Sequence, residues 1–231
     1  MFLDTVVTFP DGSRYERLEP ITNFRKDDDT ARILYRCRRR ADGLLQSEGC
    51  DDIYVMKVKF QVPSVEFKEA VEGPNPETLA ELHALEAFAT RKQGSVPHLV
   101  AWKETTQGTG GLFPGGYLVI TVMTLMPGKT LLELGFWSLK SDEQDTIRNA
   151  FLTTLNDIWR CGFVPYDRAL RNILWEKETK QCSIVDFEHY HVRIDPICMD
   201  EKDEMAQWGI LQRPALNWYQ EWARSAPKKP R

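Results

Sequence analysis

Two short segments in the last third of the chain constrain its fold and its chemistry most. Residues 167–172 read Asp-Arg-Ala-Leu-Arg-Asn and run directly into an apolar stretch, 173–175, that is typical of a buried strand. Residues 184–188 read Ile-Val-Asp-Phe-Glu, which sets Asp186 at the end of a second apolar strand. Three oxygen-bearing side chains therefore flank two successive strands. This layout is typical of a site that binds a metal ion and a nucleotide.

Each of these three side chains has a candidate role. Phosphoryl transfer requires a carboxylate that orients an attacking hydroxyl and accepts its proton, and oxygen ligands that hold Mg²⁺ on the phosphates. Asp167 is the candidate catalytic base, Asn172 acts beside it, and Asn172 and Asp186 are the candidate metal ligands. The plainer interpretation is that they stabilise turns, as Asp and Asn often do. Their order and spacing favour the site.

The pattern Asp-x-x-x-x-Asn, followed downstream by Asp-Phe, resembles the catalytic loop and metal-binding motif of the protein kinase-like superfamily. The form Asp-Phe-Glu at 186–188 is more similar to the small-molecule branch, the choline kinases and aminoglycoside phosphotransferases, and to small kinase-like proteins of fungi. The resemblance implies an α+β, bilobal protein kinase-like fold. Its N-lobe, 1–126, would hold a small antiparallel sheet and an αC-like helix, and its C-lobe, 127–231, would be shortened and mostly helical. It also implies ATP and Mg²⁺ as cofactors.

A lysine in a predicted strand is the candidate contact to the phosphates. Residues 53–60 are rich in β-branched and aromatic residues, and Val55, Lys57 and Lys59 fall on one face. An ammonium group in a central strand is costly unless it meets an anion. Because Val-Met-Lys is similar to the kinase third strand, the resemblance implies that Lys57 contacts the α- and β-phosphates. Lys59 is the alternative, and an edge strand with both lysines in water is the plain interpretation.

A helix is predicted to follow this strand. Asn75 is a candidate cap, Pro76 suits the first turn, and the helical pattern continues to Gly94. The predicted apolar stripe consists of Leu79, Leu82, Leu85 and Ala89.

Glu81 lies on the same predicted helix face as Leu85 and Phe88, where its carboxylate would require a cation. The resemblance implies that this cation is Lys57, held extended toward the phosphates. Glu86 is the alternative partner, and a solvated Glu81 is the plain interpretation.

A glycine-rich run at 107–116 lies between strands predicted at 96–102 and 117–126. Backbone amides freed by glycine can bind phosphate, but a kinase glycine loop precedes the lysine strand. We therefore predict a hairpin turn here. Between residues 18 and 50 only Gly43 and Gly49 occur, so the kinase glycine motif is missing.

Residues 126–128 read Met-Pro-Gly and break the preceding strand, which predicts a linker between lobes. The resemblance implies that backbone groups at Thr124, Leu125 and Met126 hydrogen-bond the adenine edge.

A second helix is predicted to begin with a capping box at 141–144 and to stop at Gly162. Its core-facing residues are Ile147, Phe151, Leu155 and Ile158. The helix leads into the Asp167 loop through Pro165 and Tyr166, which stand where the family usually has a histidine. The Tyr166 hydroxyl is a candidate substitute for the brace that this histidine provides.

Two functions remain open at this point. The first is phosphotransfer to a small-molecule hydroxyl, favoured over a protein acceptor because only about 45 residues follow Asp186 and no Ala-Pro-Glu occurs. The second is a pseudokinase, a binding module without turnover, favoured by the missing glycine motif and histidine. Glu188 is a further candidate for a metal contact. Trp218 and Trp222 are at helical spacing, which predicts that they pack in a core and do not form an aromatic cage for a quaternary ammonium group.

Composition narrows the remaining classes. The chain has 231 residues, 42% of them apolar, which is enough for one large domain or two lobes. Its formal net charge of −4 gives no reason to expect nucleic acid as a partner. Five cysteines without a paired pattern, and a start that does not resemble a signal peptide, predict a cytoplasmic or nuclear protein. Nothing in the sequence indicates an oligomeric state.

Overall fold

The computed structural model describes residues 4–40, 52–65, 68–71, 73–192 and 199–211. Gly43, Gly49, Trp218 and Trp222 lie outside these ranges. The chain divides into two compact units, which are the described parts of Met1–Lys92 with Pro97–Leu125, and of Gln93–Val96 with Met126–Arg231. Both units mix helix and strand, so the predicted mixed α and β class is confirmed. Within the described residues, no helix is both long and apolar enough to cross a bilayer.

Unit 1 is built on an antiparallel sheet. The strands are β1 (Val6–Thr8), β2 (Arg14–Pro20), β3 (Arg25–Asp27), β4 (Thr30–Arg40), β5 (Ile53–Gln61), β6 (Leu99–Thr106) and β7 (Tyr117–Thr124). Among the described residues they run in the order β1-β2-β4-β5-β7-β6, and β3 pairs with β4. The glycine-rich run joins β6 to β7, and Gln107 N–H donates to the Gly116 carbonyl at 2.8 Å, as expected of a hairpin turn.

Strand β5 is buried on both faces, because β4 and β7 cover its two edges and apolar clusters cover its two sides. One cluster, built with residues of β1, β2 and β4, takes Met56, Val58 and Phe60. A second cluster joins Val55 to Leu85 of the following helix. Lys57 and Lys59 share the Val55 side of the strand and are only 5% and 3% exposed. An edge strand with both lysines in water is therefore the wrong interpretation.

Helix α1 (Pro76–Arg91) begins as predicted. The Asn75 side chain accepts hydrogen bonds from the Thr78 backbone N–H at 3.1 Å and the Thr78 hydroxyl at 2.6 Å. The helix ends earlier than the predicted Gly94, because Lys92 turns into the left-handed region with a φ of 53°.

The buried face of α1 differs in part from the predicted stripe. Its buried residues are Thr78, Glu81, Leu82, Ala84, Leu85 and Phe88. Leu79 is 51% exposed, so its place in the predicted stripe was wrong. The helix is rotated so that Glu81 faces the interior while Glu86 is exposed.

Unit 2 contains two small sheets and two α-helices among its described residues. The elements are β8 (Lys129–Thr130), α2 (Ser141–Arg160), β9 (Phe163–Pro165), β10 (Ile173–Glu176), β11 (Gln181–Ile184), β12 (Tyr190–Val192) and α3 (Glu201–Gln207). The sheets run β11-β10-β8 and β12-β9. Helix α2 has 20 residues and α3 has 7, whereas each strand of this unit has two to four, so the mostly helical C-lobe stays a prediction.

Helix α2 supplies the core of unit 2, and its predicted core residues Ile147, Phe151, Leu155 and Ile158 are fully buried. Its predicted capping box is absent, since the cap position is Lys140 and no side chain bonds there. The Gln144 amide instead donates to the carbonyls of Phe136 and Leu139, at 3.2 and 3.0 Å. The 3-10 turn Phe136–Ser138 precedes the helix, and its Phe136 carbonyl accepts a hydrogen bond from the Gln144 side chain. The Gln144 side chain therefore does not cap the start of the helix.

Gly128 directly precedes β8, and both its backbone conformation and its close contact with β10 favour glycine at this position. Its φ is +91°, and a Cβ built at this position would lie 2.3 Å from the Trp175 carbonyl oxygen of β10. We expect Gly128→Ala to destabilise the protein by about 1–3 kcal/mol or more, because strain and a backbone clash add. Thermal unfolding measures this loss. Gly94→Ala is the matched control, since nothing lies within 4 Å of its built Cβ. An equal loss in both variants would contradict the clash.

Candidate functional site

In unit 1, the structure brings Lys57 and Glu81 into direct contact. Lys57 Nζ donates to Glu81 Oε1 at 2.7 Å, and the two side chains are only 5% and 6% exposed. The contact follows from local geometry, because Lys57 lies in the centre of β5 and Glu81 lies one helical turn before Leu85, which packs against Val55. Each charge is thereby compensated by the other.

The alternatives to the pair of Lys57 and Glu81 are Lys59 and Glu86, and the burial of these two side chains differs. Glu86 points to solvent, so it does not compensate a lysine inside the sheet. Lys59 is as buried as Lys57, and it is Lys57 Nζ that lies 2.7 Å from Glu81 Oε1. The role of Lys57 toward phosphate stays a prediction.

The segment predicted to bind adenine lies at the end of β7. Thr124 is tied into unit 1, because its backbone N–H donates to the His98 carbonyl at 3.1 Å and its hydroxyl accepts from the His98 N–H at 2.9 Å. Leu125 packs against the cluster that contains Val55. Met126 is 9% exposed. The Thr124 amide hydrogen is therefore already bonded, and adenine recognition by backbone groups of Thr124, Leu125 and Met126 stays a prediction.

In unit 2, strand β9 carries the chain into the Asp167 loop. Tyr166 N–H donates to the His189 carbonyl at 2.9 Å, which extends the β9–β12 pairing to the start of the loop. At the other end, Asn172 N–H donates to the Ala169 carbonyl at 2.9 Å within a 3-10 turn. Backbone hydrogen bonds therefore fix both ends of the loop.

Asn172 is fixed against Asp167. Its side-chain nitrogen donates to the Asp167 backbone carbonyl at 2.8 Å and to Asp167 Oδ2 at 3.0 Å, and the residue is 3% exposed. Because the amide nitrogen is committed to Asp167, the amide oxygen is the end that remains for a cation. The predicted proximity of these two residues is present in the structure.

Arg171 is a site residue that the sequence analysis missed. One guanidinium nitrogen lies 2.7 Å from Asp167 Oδ1 and 2.6 Å from Asp167 Oδ2, and the two side chains are 25% and 32% exposed. This charge-assisted contact fixes the orientation of the Asp167 carboxylate. The spacing of four residues between an acid and a base was the available signal.

Tyr166 does not replace the missing histidine as a brace. Its side chain is 66% exposed, and its ring packs edge-on against His191 at a centroid distance of 5.3 Å. Bracing of this loop comes instead from the backbone bonds of β9 and β12.

Asp186 follows β11 in an unusual backbone conformation. Its φ is +68°, a region that Asp tolerates better than most residues but that still signals a constraint. The next side chain, Phe187, is 1% exposed and anchors the segment in the interior. Carboxylate oxygens of Asp186 and Glu188 lie within 4.8 Å of each other, and Glu188 is 7% exposed. Carboxylate and amide oxygens are ligands that Mg²⁺ prefers, so the donors present fit the expected ion.

Comparison with known proteins finds no matching family model and no matching curated protein. Among solved structures, the chain is similar to the PK-1 kinase of Cydia pomonella granulovirus, at 15% sequence identity and a TM-score of 0.47. The match covers 80% of this chain and 58% of the viral kinase. The structural neighbour is therefore a kinase, and the chain spans less than two thirds of its length.

Proposed function

We propose that the chain is an ATP- and Mg²⁺-dependent phosphotransferase of the kinase-like, bilobal class, and that it transfers the γ-phosphoryl group to a hydroxyl on a small molecule. The observation that carries the proposal is the buried ion pair between Lys57 and Glu81. Burying two charges gains little stability over an apolar pair of similar size. The position of the Lys57–Glu81 ion pair in the centre of the sheet therefore favours a role for the Lys57 ammonium group in binding an anion.

The arrangement of unit 1 supports the kinase-like class independently of the motifs. The lysine strand β5 is central, helix α1 follows it directly, and β7 returns to pair with β5. In this class the helix carries the carboxylate that holds the lysine extended toward the phosphates. Glu81 on α1 fits that role. The preference for a small-molecule acceptor rests on the sequence, namely the Asp-Phe-Glu motif at 186–188 and the missing Ala-Pro-Glu.

In the proposed mechanism, Asp167 orients the acceptor hydroxyl and accepts its proton on a carboxylate oxygen as the hydroxyl oxygen bonds to the γ-phosphorus. The bond from the γ-phosphorus to the bridging oxygen breaks in the same step, and ADP leaves. Arg171 holds that carboxylate in one orientation, and Asn172 fixes the loop backbone through the Asp167 carbonyl. Asn172 Oδ1 and Asp186 would hold Mg²⁺, with Glu188 as a further contact. Bound Mg²⁺ would neutralise the negative charge of the phosphates.

The proposed cellular location is the cytoplasm, with the nucleus as the alternative. It is supported by the free thiols of Cys37, Cys161 and Cys182, which are typical of a reducing compartment. Burial raises the pKa of the Cys37 and Cys182 thiols to about 12, which makes both unreactive.

The metal assignment is tested with Asp186→Asn, because Asn tolerates a positive φ and keeps the shape of the side chain while removing its charge. In the parent protein we expect ATP to raise the melting temperature more with Mg²⁺ than with a chelator, since a ligand that binds only the folded state adds to its stability. In the variant this difference should fall well below its parental size, because the amide that replaces the carboxylate carries no negative charge to hold the ion. Thermal shift titrations with and without Mg²⁺ measure it.

The matched control is Asp157→Asn, an exposed carboxylate on α2 whose side chain is 42% exposed. It should keep the full Mg²⁺-dependent shift. A shift of parental size in Asp186→Asn would sink the assignment of Asp186, and a parent that shows no ATP-dependent shift would sink the proposed function.

A further inference from the structure

We propose that helix α3 holds the Asp167 loop in place, and that Arg168 is the positioning residue through which it does so. The inference rests on the proposed role of Asp167, and it adds to that role a support from a distant part of unit 2. Arg168 directly follows Asp167 in the chain, but its side chain has different partners.

The Arg168 guanidinium bonds to two side chains of α3. Its NH2 group donates to Glu204 Oε1 at 3.1 Å, and its NH1 group donates to Gln207 Oε1. The contact is largely shielded from water, since the side chains of Arg168 and Glu204 are 21% and 8% exposed. Two donors on a planar group fix both its position and its orientation.

Helix α3 is itself anchored, so it can act as a support. Trp208, at its end, is 1% exposed and packs against Phe151 of α2 at a ring distance of 5.3 Å. The Arg148 side chain of α2 donates to the Ile210 carbonyl at 2.8 Å. The helix start is capped by Asp200, which accepts from two backbone N–H groups of the first turn.

The ion pair is a poor device for stability alone. Burial raises the pKa of Glu204, whereas the Arg168 charge acts in the opposite direction. A buried pair of this kind is better explained by the geometry that it enforces than by the energy that it adds.

That geometry bears on Asp167 because its side chain and the residue that follows it are held by different parts of unit 2. Asp167 bonds to Arg171 and Asn172 within its own loop, whereas the neighbouring Arg168 bonds to α3. Rotation of the Asp167 backbone would have to break one of the two sets. A displacement of about 1 Å at a reacting group can lower a rate by about 100-fold, so a support of this kind has a measurable effect.

The test compares Arg168→Gln, Arg168→Lys and the control Arg160→Gln, which removes only an exposed ion pair to Asp157. The first readout is amide hydrogen exchange at residues 166–172. In Arg168→Gln we expect exchange there to rise by roughly 10-fold or more, as when a charge-assisted hydrogen bond is lost, with α2 unchanged. Arg168→Lys should be intermediate, and Arg160→Gln should match the parent. Glu204→Gln, which weakens the same contact from the α3 side, should loosen the same residues.

The second readout is the kinetics of phosphotransfer. In Arg168→Gln we expect kcat to fall by about 10- to 100-fold while KM for ATP stays within a few-fold, because Arg168 acts through the adjacent Asp167, which is proposed to contact the acceptor. An equal fall in kcat for Arg160→Gln would overturn the inference.

The exchange readout decides the inference even if the parent transfers no phosphate, which would overturn the proposed function instead. Unchanged exchange at 166–172 in both Arg168→Gln and Glu204→Gln overturns the inference. So does exchange that rises equally in α2, because the contact would then stabilise unit 2 as a whole.

Discussion

Replacing Asp167 by Asn is expected to lower phosphotransfer by about 10²- to 10⁴-fold, the usual contribution of a positioned general base. Affinity for Mg-ATP should stay within a few-fold, because Asp167 is proposed to contact the acceptor hydroxyl and not the nucleotide. The substitution preserves the size of the side chain, so the hydrogen bond from Asn172 to the Asp167 backbone carbonyl remains possible. Initial rates with a panel of alcohol acceptors, and nucleotide titration by thermal shift, measure the two quantities.

Asp145→Asn is the matched control for this experiment. Asp145 also pairs with an arginine, Arg148 at 2.6 Å, but its side chain is 62% exposed on α2. The control should keep parental activity. Full activity in Asp167→Asn would mean that the central residue is misassigned and that the Asp-x-x-x-x-Asn pattern is only a turn. A parent that binds Mg-ATP but transfers nothing to any acceptor would identify the binding module without turnover.

Strand β5 and helix α1 are predictable from the sequence because both carry local signals. Residues 53–60 are rich in β-branched and aromatic residues, and Asn75 and Pro76 mark the start of α1. The choice between Glu81 and Glu86 is not predictable in the same way. It depends on the rotation of α1 against the sheet, and the exposed Leu79 shows that an apolar residue on the helix does not fix that rotation.

In the Asp167 loop, too, the contact between residues close in sequence is predictable and the contact between distant residues is not. The spacing of Asp167 and Asn172 predicts their proximity, because only residues 166–172 separate β9 from β10 and such a short loop has little freedom. The contact between Arg168 and Glu204 joins residues 36 positions apart and has no periodic signal. Only the packing of α3 creates it. The failed capping box at α2 has a different, local cause, because the competing acceptors are the carbonyls of Phe136 and Leu139, which directly precede the helix.

The pair of Lys57 and Glu81 is expected to show the largest effect on stability. Lys57→Met leaves the Glu81 carboxylate buried without its cation, so we expect a loss of about 3–5 kcal/mol in the free energy of unfolding. Glu81→Gln leaves the ammonium group in the same position and should also be costly. Both variants should weaken ATP binding, because the lysine is either absent or no longer held extended. Chemical denaturation and nucleotide titration measure these changes.

The double variant decides whether the two charges act together. If they do, Lys57→Met with Glu81→Gln should cost less than the sum of the single changes, by about 0.5–3 kcal/mol, because the second change removes a charge that the first left uncompensated. The matched control cycle combines Lys57→Met with Glu86→Gln, a change of an exposed residue on the same helix. The effects of these two changes on the free energy of unfolding should be additive. Strict additivity for Lys57 and Glu81 would mean that the 2.7 Å contact contributes nothing, and the basis for a phosphate-binding lysine would then be lost.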